Sequence, residues 1–203
     1  MSSPANSARL LAGAIRYALG SLTWVTPGFL SRPTPCAAWD LATLLEHVND
    51  SLAALHEGIA TGYVGPAPAA GPGGDPVAGG MVATFRDRAA QLLVASATAG
   101  DQDIAIADRC LPAGIVTAVG AVEIAVHGWD VTEACGRHRP IPAALAAGIL
   151  DIIPLVVTDA TRNARFAAPV TVSPLASPGD RLVALLGRRP QTRSAGAGRM
   201  SGR

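Results

Sequence analysis

Lysine is missing altogether: all 16 basic residues of this 203-residue sequence are arginine. Schiff-base chemistry on a lysine amine is therefore excluded. Charge of one sign is missing too, since the 16 basic residues face 15 acidic ones and the net charge is +1. No one-signed field draws in a polyanion, so neither nucleic acid nor an anionic membrane is an expected partner. Cysteine is scarce. Cys36, Cys110 and Cys135 stand far apart with no C-x-x-C pair, which points to reduced thiols in a cytoplasmic protein. No long hydrophobic run occurs, and the longest uncharged apolar stretch, 110–122, is too short to span a bilayer. The segment MSSPANSARLLAG lacks the basic-then-apolar pattern of a signal peptide. The glycine-rich run at 71–80 lacks G-x-x-x-x-G-K-[ST] and follows no strand, so it is not a phosphate loop, and no G-x-S-x-G elbow appears.

What is present is apolar. Hydrophobic residues make up 49% of the chain and charged ones 15%, a balance that forms a core and argues against wholesale disorder. The length suits one domain. Residues 7–23 place Leu11, Ile15, Leu19 and Leu22 at helical spacing, and Pro27 stops that helix. Asp40 reads as the N-cap of a second helix carrying Leu41, Leu44, Leu45, Val48, Leu52, Leu55 and Ile59 on one stripe. Residues 58–80 hold 8 glycines and 4 prolines and read as a loop able to serve as a lid. A third helix is expected over 78–98, with Met81, Phe85, Ala89 and Leu92 inward. Residues 101–112 read as a connection. A fourth helix is expected over 114–134, with Gly136 as its C′ residue. A fifth is expected over 142–165, kinked or broken at Pro154. Residues 169–173 read as a short strand and 178–187 as a last helix capped by Ser177. The expected architecture is all-α: an up-down four-helix bundle in one unit over 1–190, with a C-terminal helix, a short extended segment and a disordered tail at 191–203.

The fourth helix carries the chemistry. It is apolar nearly all round, so it is expected to be buried. Glu123, His127 and Asp130 nevertheless lie on it at i, i+4 and i+7, on one stripe. A buried carboxylate must find a counter-charge, a proton or a metal. Glu123 and His127, one turn apart, can reach one cation, and a third ligand from a facing helix would complete a His2Glu set with a fourth position open to water or substrate. Asp130 fits better as a group that orients a ligand, or as a partner for an arginine. The rival readings are a buried Glu–His ion pair and a plain helical domain in which Glu123 pairs with an arginine. The second helix offers His47 and His56 as third ligand. His47 lies about 120° from the centre of the leucine stripe at about 100° per residue, and His56 lies nearer, so periodicity does not favour His47. His138 reads as exposed, Cys36 as a small buried hydrophobe rather than a nucleophile, and Trp39 and Trp129 as core anchors.

Two motifs resemble a known family. TPCAAWDLATLLEHV (34–48) is similar to the TPC-x-x-W…H signature, and VEIAVHGWDVTEACG (122–136) to the E-x-x-x-H-G-W-D signature, of the DinB-like branch that includes mycothiol-dependent maleylpyruvate isomerase. RLVALLGRRP (181–190) resembles the closing segment of the same group, which is common in actinobacteria. The resemblance implies a metal-binding four-helix bundle in which His47, Glu123 and His127 hold a divalent ion, usually zinc. It selects His47 over His56. It also implies a thiol cosubstrate such as mycothiol, a small-molecule electrophile, and transferase or isomerase chemistry. A homodimer, and a non-catalytic metal- or ligand-binding module linked to stress, are the accompanying expectations. No cluster of arginines suits a dicarboxylate; Arg137 and Arg139 stand nearest the second motif.

Overall fold

The computed structural model describes residues 4–36, 39–66, 77–98, 100, 102–157 and 166–191. Among them the chain is mostly helical, with a small three-stranded sheet. The helices are α1 (Pro4–Leu22), α2 (Leu41–Thr61), α3 (Ala78–Thr98), α4 (Ala113–Ala134), α5 (Ala143–Val156) and α6 (Pro178–Leu185). A single 3-10 turn, Pro27–Phe29, follows α1 where Pro27 blocks the helix. The strands are β1 (Tyr63–Val64), β2 (Asp103–Ile106) and β3 (Arg109–Pro112). They run in the order β1-β2-β3, with β1 parallel to β2 and β2 antiparallel to β3.

Local chemistry sets the helix ends. The Asp40 carboxylate accepts the Thr43 N–H at 2.9 Å and caps α2, and Gly62 ends that helix at φ 75°. Gly136, at φ 68°, ends α4; its N–H donates to Glu133 O at 2.9 Å and the Arg137 N–H to Thr132 O at 2.8 Å, the paired bonds of a Schellman turn. The Ser177 hydroxyl caps α6 by accepting the Asp180 N–H at 3.1 Å.

α4 is the centre of the packing. It lies against α1, α2 and α5, and α3 packs on α2 and α1. It is also the one helix among the described residues long and apolar enough to cross a membrane, and most of it is buried within the protein. Gly128 lets α1 approach it. A Cβ built there would lie 3.1 Å from Ala18 Cα and 3.2 Å from Ala18 Cβ. Gly128→Leu is therefore expected to cost about 1–3 kcal/mol through overpacking. Gly128→Ala should be near neutral, because about 1 kcal/mol of helix propensity offsets the tight contact. Urea unfolding midpoints of the two variants check this.

Several expectations need correction. Where a plain connection is expected over 101–112, residues 103–112 form the β2–β3 hairpin, turned at Ala107 with φ 51°. Residues 58–66 are not all loop: α2 runs to Thr61 and β1 follows. Met81 is only half-buried, and Val82 takes the inward position beside Phe85, Ala89 and Leu92. At Pro154 the expectation of a break holds: α5 ends two residues later, at Val156, because the proline ring removes an N–H from the helix ladder. Residues 169–173 form no strand; no other strand lies beside them among the described residues, and the Val170 N–H donates instead to Ala184 O at 2.9 Å. The expected continuation of α5 to 165, the core of the lid at 67–76 and the tail at 192–203 lie outside the described residues.

Candidate metal centre

Two segments bring the site together. Thr34 organises the first: its hydroxyl donates to Cys36 O at 3.1 Å, and its N–H donates to Trp39 O at 3.1 Å. This tight loop, closed by the Pro33–Asp40 bridge, starts α2 and sets the Trp39 ring 4.6 Å from the His47 ring. The second segment is the buried middle of α4. Its 3.6-residue period puts Glu123, His127 and Asp130 on one stripe, with Glu123 and His127 on the side of His47.

His47 Nε2 lies 2.6 Å from Glu123 Oε1, and His127 Nε2 lies 3.0 Å from the same oxygen. One donor atom from each of the three residues falls within 4.8 Å of the others. The His47 and His127 rings meet edge to face at 5.3 Å. Exposure is graded across the group. The side chains of His47 and Glu123 are 38% and 30% exposed, whereas His127 is 7% exposed and Asp130 fully buried. The opening to solvent is therefore on the His47–Glu123 side.

Behind the three lies an ionic relay. His127 Nδ1 donates to Asp130 Oδ2 at 2.9 Å. Asp130 in turn receives Arg188, whose Nη2 donates to Oδ2 at 2.7 Å and whose Nε donates to Oδ1 at 3.2 Å. Burial pushes the Asp130 carboxyl up, but the bonds from His127 and Arg188 outweigh it and hold the group below its ordinary value. Burial likewise raises Glu123, and the two histidines overturn that and hold it far below the usual carboxylate range. Burial disfavours charge on His127, yet its bonds to Asp130 and Glu123 push its pKa up to about 9.

The donor set fits a divalent cation. With Nδ1–H committed to Asp130, a neutral His127 would aim a lone pair at a Glu123 oxygen 3.0 Å away. That contact is repulsive unless a proton or a cation lies between them. Tetrahedral zinc with bonds of about 2.1 Å sets its ligand atoms about 3.4 Å apart. The observed separations of 2.6 and 3.0 Å need open by less than an ångström.

A family model of the mycothiol maleylpyruvate isomerase N-terminal domain matches residues 11–132. The chain belongs to that family. The match takes in both halves of the site, from Trp39 and His47 to Glu123, His127 and Asp130, and stops before α5 and α6. No curated protein and no solved structure matches the chain. His56 is not part of the three-residue cluster, which takes His47 from α2. Glu123 takes the two histidines as partners, so the rival pairing of Glu123 with an arginine is not found, while Asp130 has the arginine partner expected for it, Arg188. Cys36 is half-buried beside the site, and burial pushes its thiol up, which suits a small hydrophobe rather than a nucleophile. Trp129 is a core anchor, 2% exposed, whereas Trp39 is only partly buried and stands against the His47 ring. Arg137 and Arg139 lie over the rings of Trp24 and Tyr17, so neither is aimed at the site.

The protonated His127 has a consequence for stability. Its folded-state pKa of about 9 exceeds the ordinary 6.5. The stabilisation is complete below pH 6.5 and lost as pH rises through 9. The melting temperature of chelator-treated protein is expected to fall across that window. Protein loaded with a divalent ion, where the cation replaces the proton, should vary much less. Thermal melts at pH 6, 7.5 and 9, with and without chelator, check this.

Proposed function

We propose that this chain is a divalent-metal protein of thiol chemistry, a mycothiol-type transferase or isomerase acting on a small electrophile. His47, Glu123 and His127 hold the ion, zinc by donor preference. The observation that carries the reading is the convergence of two imidazole nitrogens on one Glu123 oxygen, inside an otherwise apolar helix. The helices α1 to α4 are read as an up-down DinB-like bundle, in a single unit that extends through α6 to residue 190. A cytoplasmic setting, with its pool of low-molecular-weight thiols, suits this chemistry.

A divalent cation held there lowers the pKa of a bound thiol, so that a thiolate exists at neutral pH. The protein's own groups do the rest. Asp130 fixes the His127 ring through Nδ1 and keeps Nε2 turned inward. Trp39 packs at a tilt against the His47 ring at 4.6 Å and stands 6.2 Å from the His127 ring, an apolar wall on one side of the pair. Arg188 cancels the charge of Asp130, so the ligand set contributes only the single negative charge of Glu123. With a 2+ ion the centre then carries one net positive charge, which favours an anionic thiolate as the remaining ligand over a neutral thiol. The exposed His47–Glu123 side is where thiol and electrophile would meet.

The test is metal content by mass spectrometry on protein purified without chelator, followed by thiol-dependent consumption of an electrophile panel with mycothiol. Close to one equivalent of metal is expected; less than about 0.2 equivalent overturns the reading. Metal without any thiol-dependent turnover leaves a structural or binding module.

A further inference from the structure

We propose that Arg188, far outside the matched family segment, is a positioning residue of the metal centre, acting through Asp130 on His127. The inference rests on the reading of His127 as a ligand. It assigns a role to the closing segment of the chain that neither the motifs nor the family match supply.

The geometry is a continuous line of charge-assisted bonds. Arg188 holds both oxygens of Asp130, through Nη2 at 2.7 Å and Nε at 3.2 Å, and its third nitrogen, Nη1, donates to Leu186 O at 3.1 Å. Asp130 is fully buried and Arg188 nearly so. A carboxylate gripped at two points in a fixed plane cannot rotate about its terminal torsion. Its Oδ2 is therefore held in place for the Nδ1–H of His127, 2.9 Å away. That bond selects one tautomer and leaves Nε2 for the cluster with Glu123 and His47.

The backbone that delivers Arg188 is equally specific. α6 ends in a Schellman turn: the Gly187 N–H donates to Ala184 O at 3.0 Å and the Arg188 N–H to Val183 O at 2.9 Å. Gly187 sits at φ 82°, and a Cβ there would lie 2.8 Å from Ala167 O. Glycine is required twice over, by the left-handed backbone and by the close approach. The turn points the arginine back under α4, so α6 completes from behind a centre whose ligands all come from α2 and α4.

The test uses the full chain and Co(II) as probe, read by chelator competition and by the visible absorption of the bound ion. Arg188→Lys and Arg188→Gln are expected to weaken Co(II) binding about 10- to 100-fold and to change the absorption bands, with lysine the milder. Arg189→Gln, an exposed neighbour, should match wild type. Should the single variants not fold, the double variant Asp130→Asn with Arg188→Leu removes the fork without leaving a buried charge, and the same loss is expected. Folded variants that bind Co(II) as wild type does, with an unchanged spectrum, overturn the inference and leave the metal reading intact. A wild-type chain that binds no Co(II) overturns both.

Discussion

His127→Ala is expected to abolish stoichiometric divalent-metal binding. The variant removes one of three protein ligands, the one that Asp130 orients. Groups that merely orient a ligand are worth about 10- to 100-fold in affinity, so loss of the ligand itself should exceed about 100-fold. Glu123→Gln should behave alike by a different route. It keeps an oxygen near both histidines but removes the one ligand charge that offsets a 2+ ion. His47→Ala should join them, and His56→Ala should not, although the two histidines share α2. Isothermal titration of chelator-stripped protein with zinc measures all four. Equal binding by the His47 and His56 variants would break the assignment, because only His47 belongs to the cluster.

His47 shows where a single sequence stops informing. The leucine stripe of α2 is legible, and all seven of its residues are buried. The position of His47 about 120° from that stripe reads as surface at 3.6 residues per turn. α2, however, has two helices beside it: α3 covers one flank and α4 another. The buried arc is wider than one stripe, and His47 sits at its α4 edge. Periodicity registers the stronger partner and overlooks the second. The motif resemblance supplied the residue that periodicity did not.

The other gaps have similar causes. α4 betrays its burial by being apolar all round, and its ionisable stripe marks the site. Its partner Arg188 lies in the family-like closing segment RLVALLGRRP, but nothing in that segment pairs it with Asp130; the turn at Gly187 brings the two together. The strands escape because they are two to four residues long and their hairpin turns on Ala107, not on an Asn-Gly or Asp-Gly signal. Conversely, the β-branched residues at 169–173 look like a strand but find no ladder beside them. Strand propensity describes fit to a pleated, half-buried surface, and no such surface is offered there.

The Asp130–Arg188 pair should dominate the stability of the core around the site. Asp130→Ala is expected to cost about 3–5 kcal/mol in chelator-treated protein, because it leaves a guanidinium buried without its counter-charge. Arg188→Met should cost a similar amount for the converse reason. The double variant Asp130→Ala with Arg188→Met should be far less destabilised than the sum of the singles, since no charge is stranded and methionine fills much of the arginine volume. Urea unfolding of the three variants gives the coupling energy, expected to reach about 2–3 kcal/mol; additivity within about 0.5 kcal/mol would show that the two groups do not depend on each other. The same double variant separates two uses of one ion pair. If it folds nearly as well as wild type yet binds zinc weakly, the pair is kept in the core for what it does to the His127 ring, and its contribution to folding is incidental.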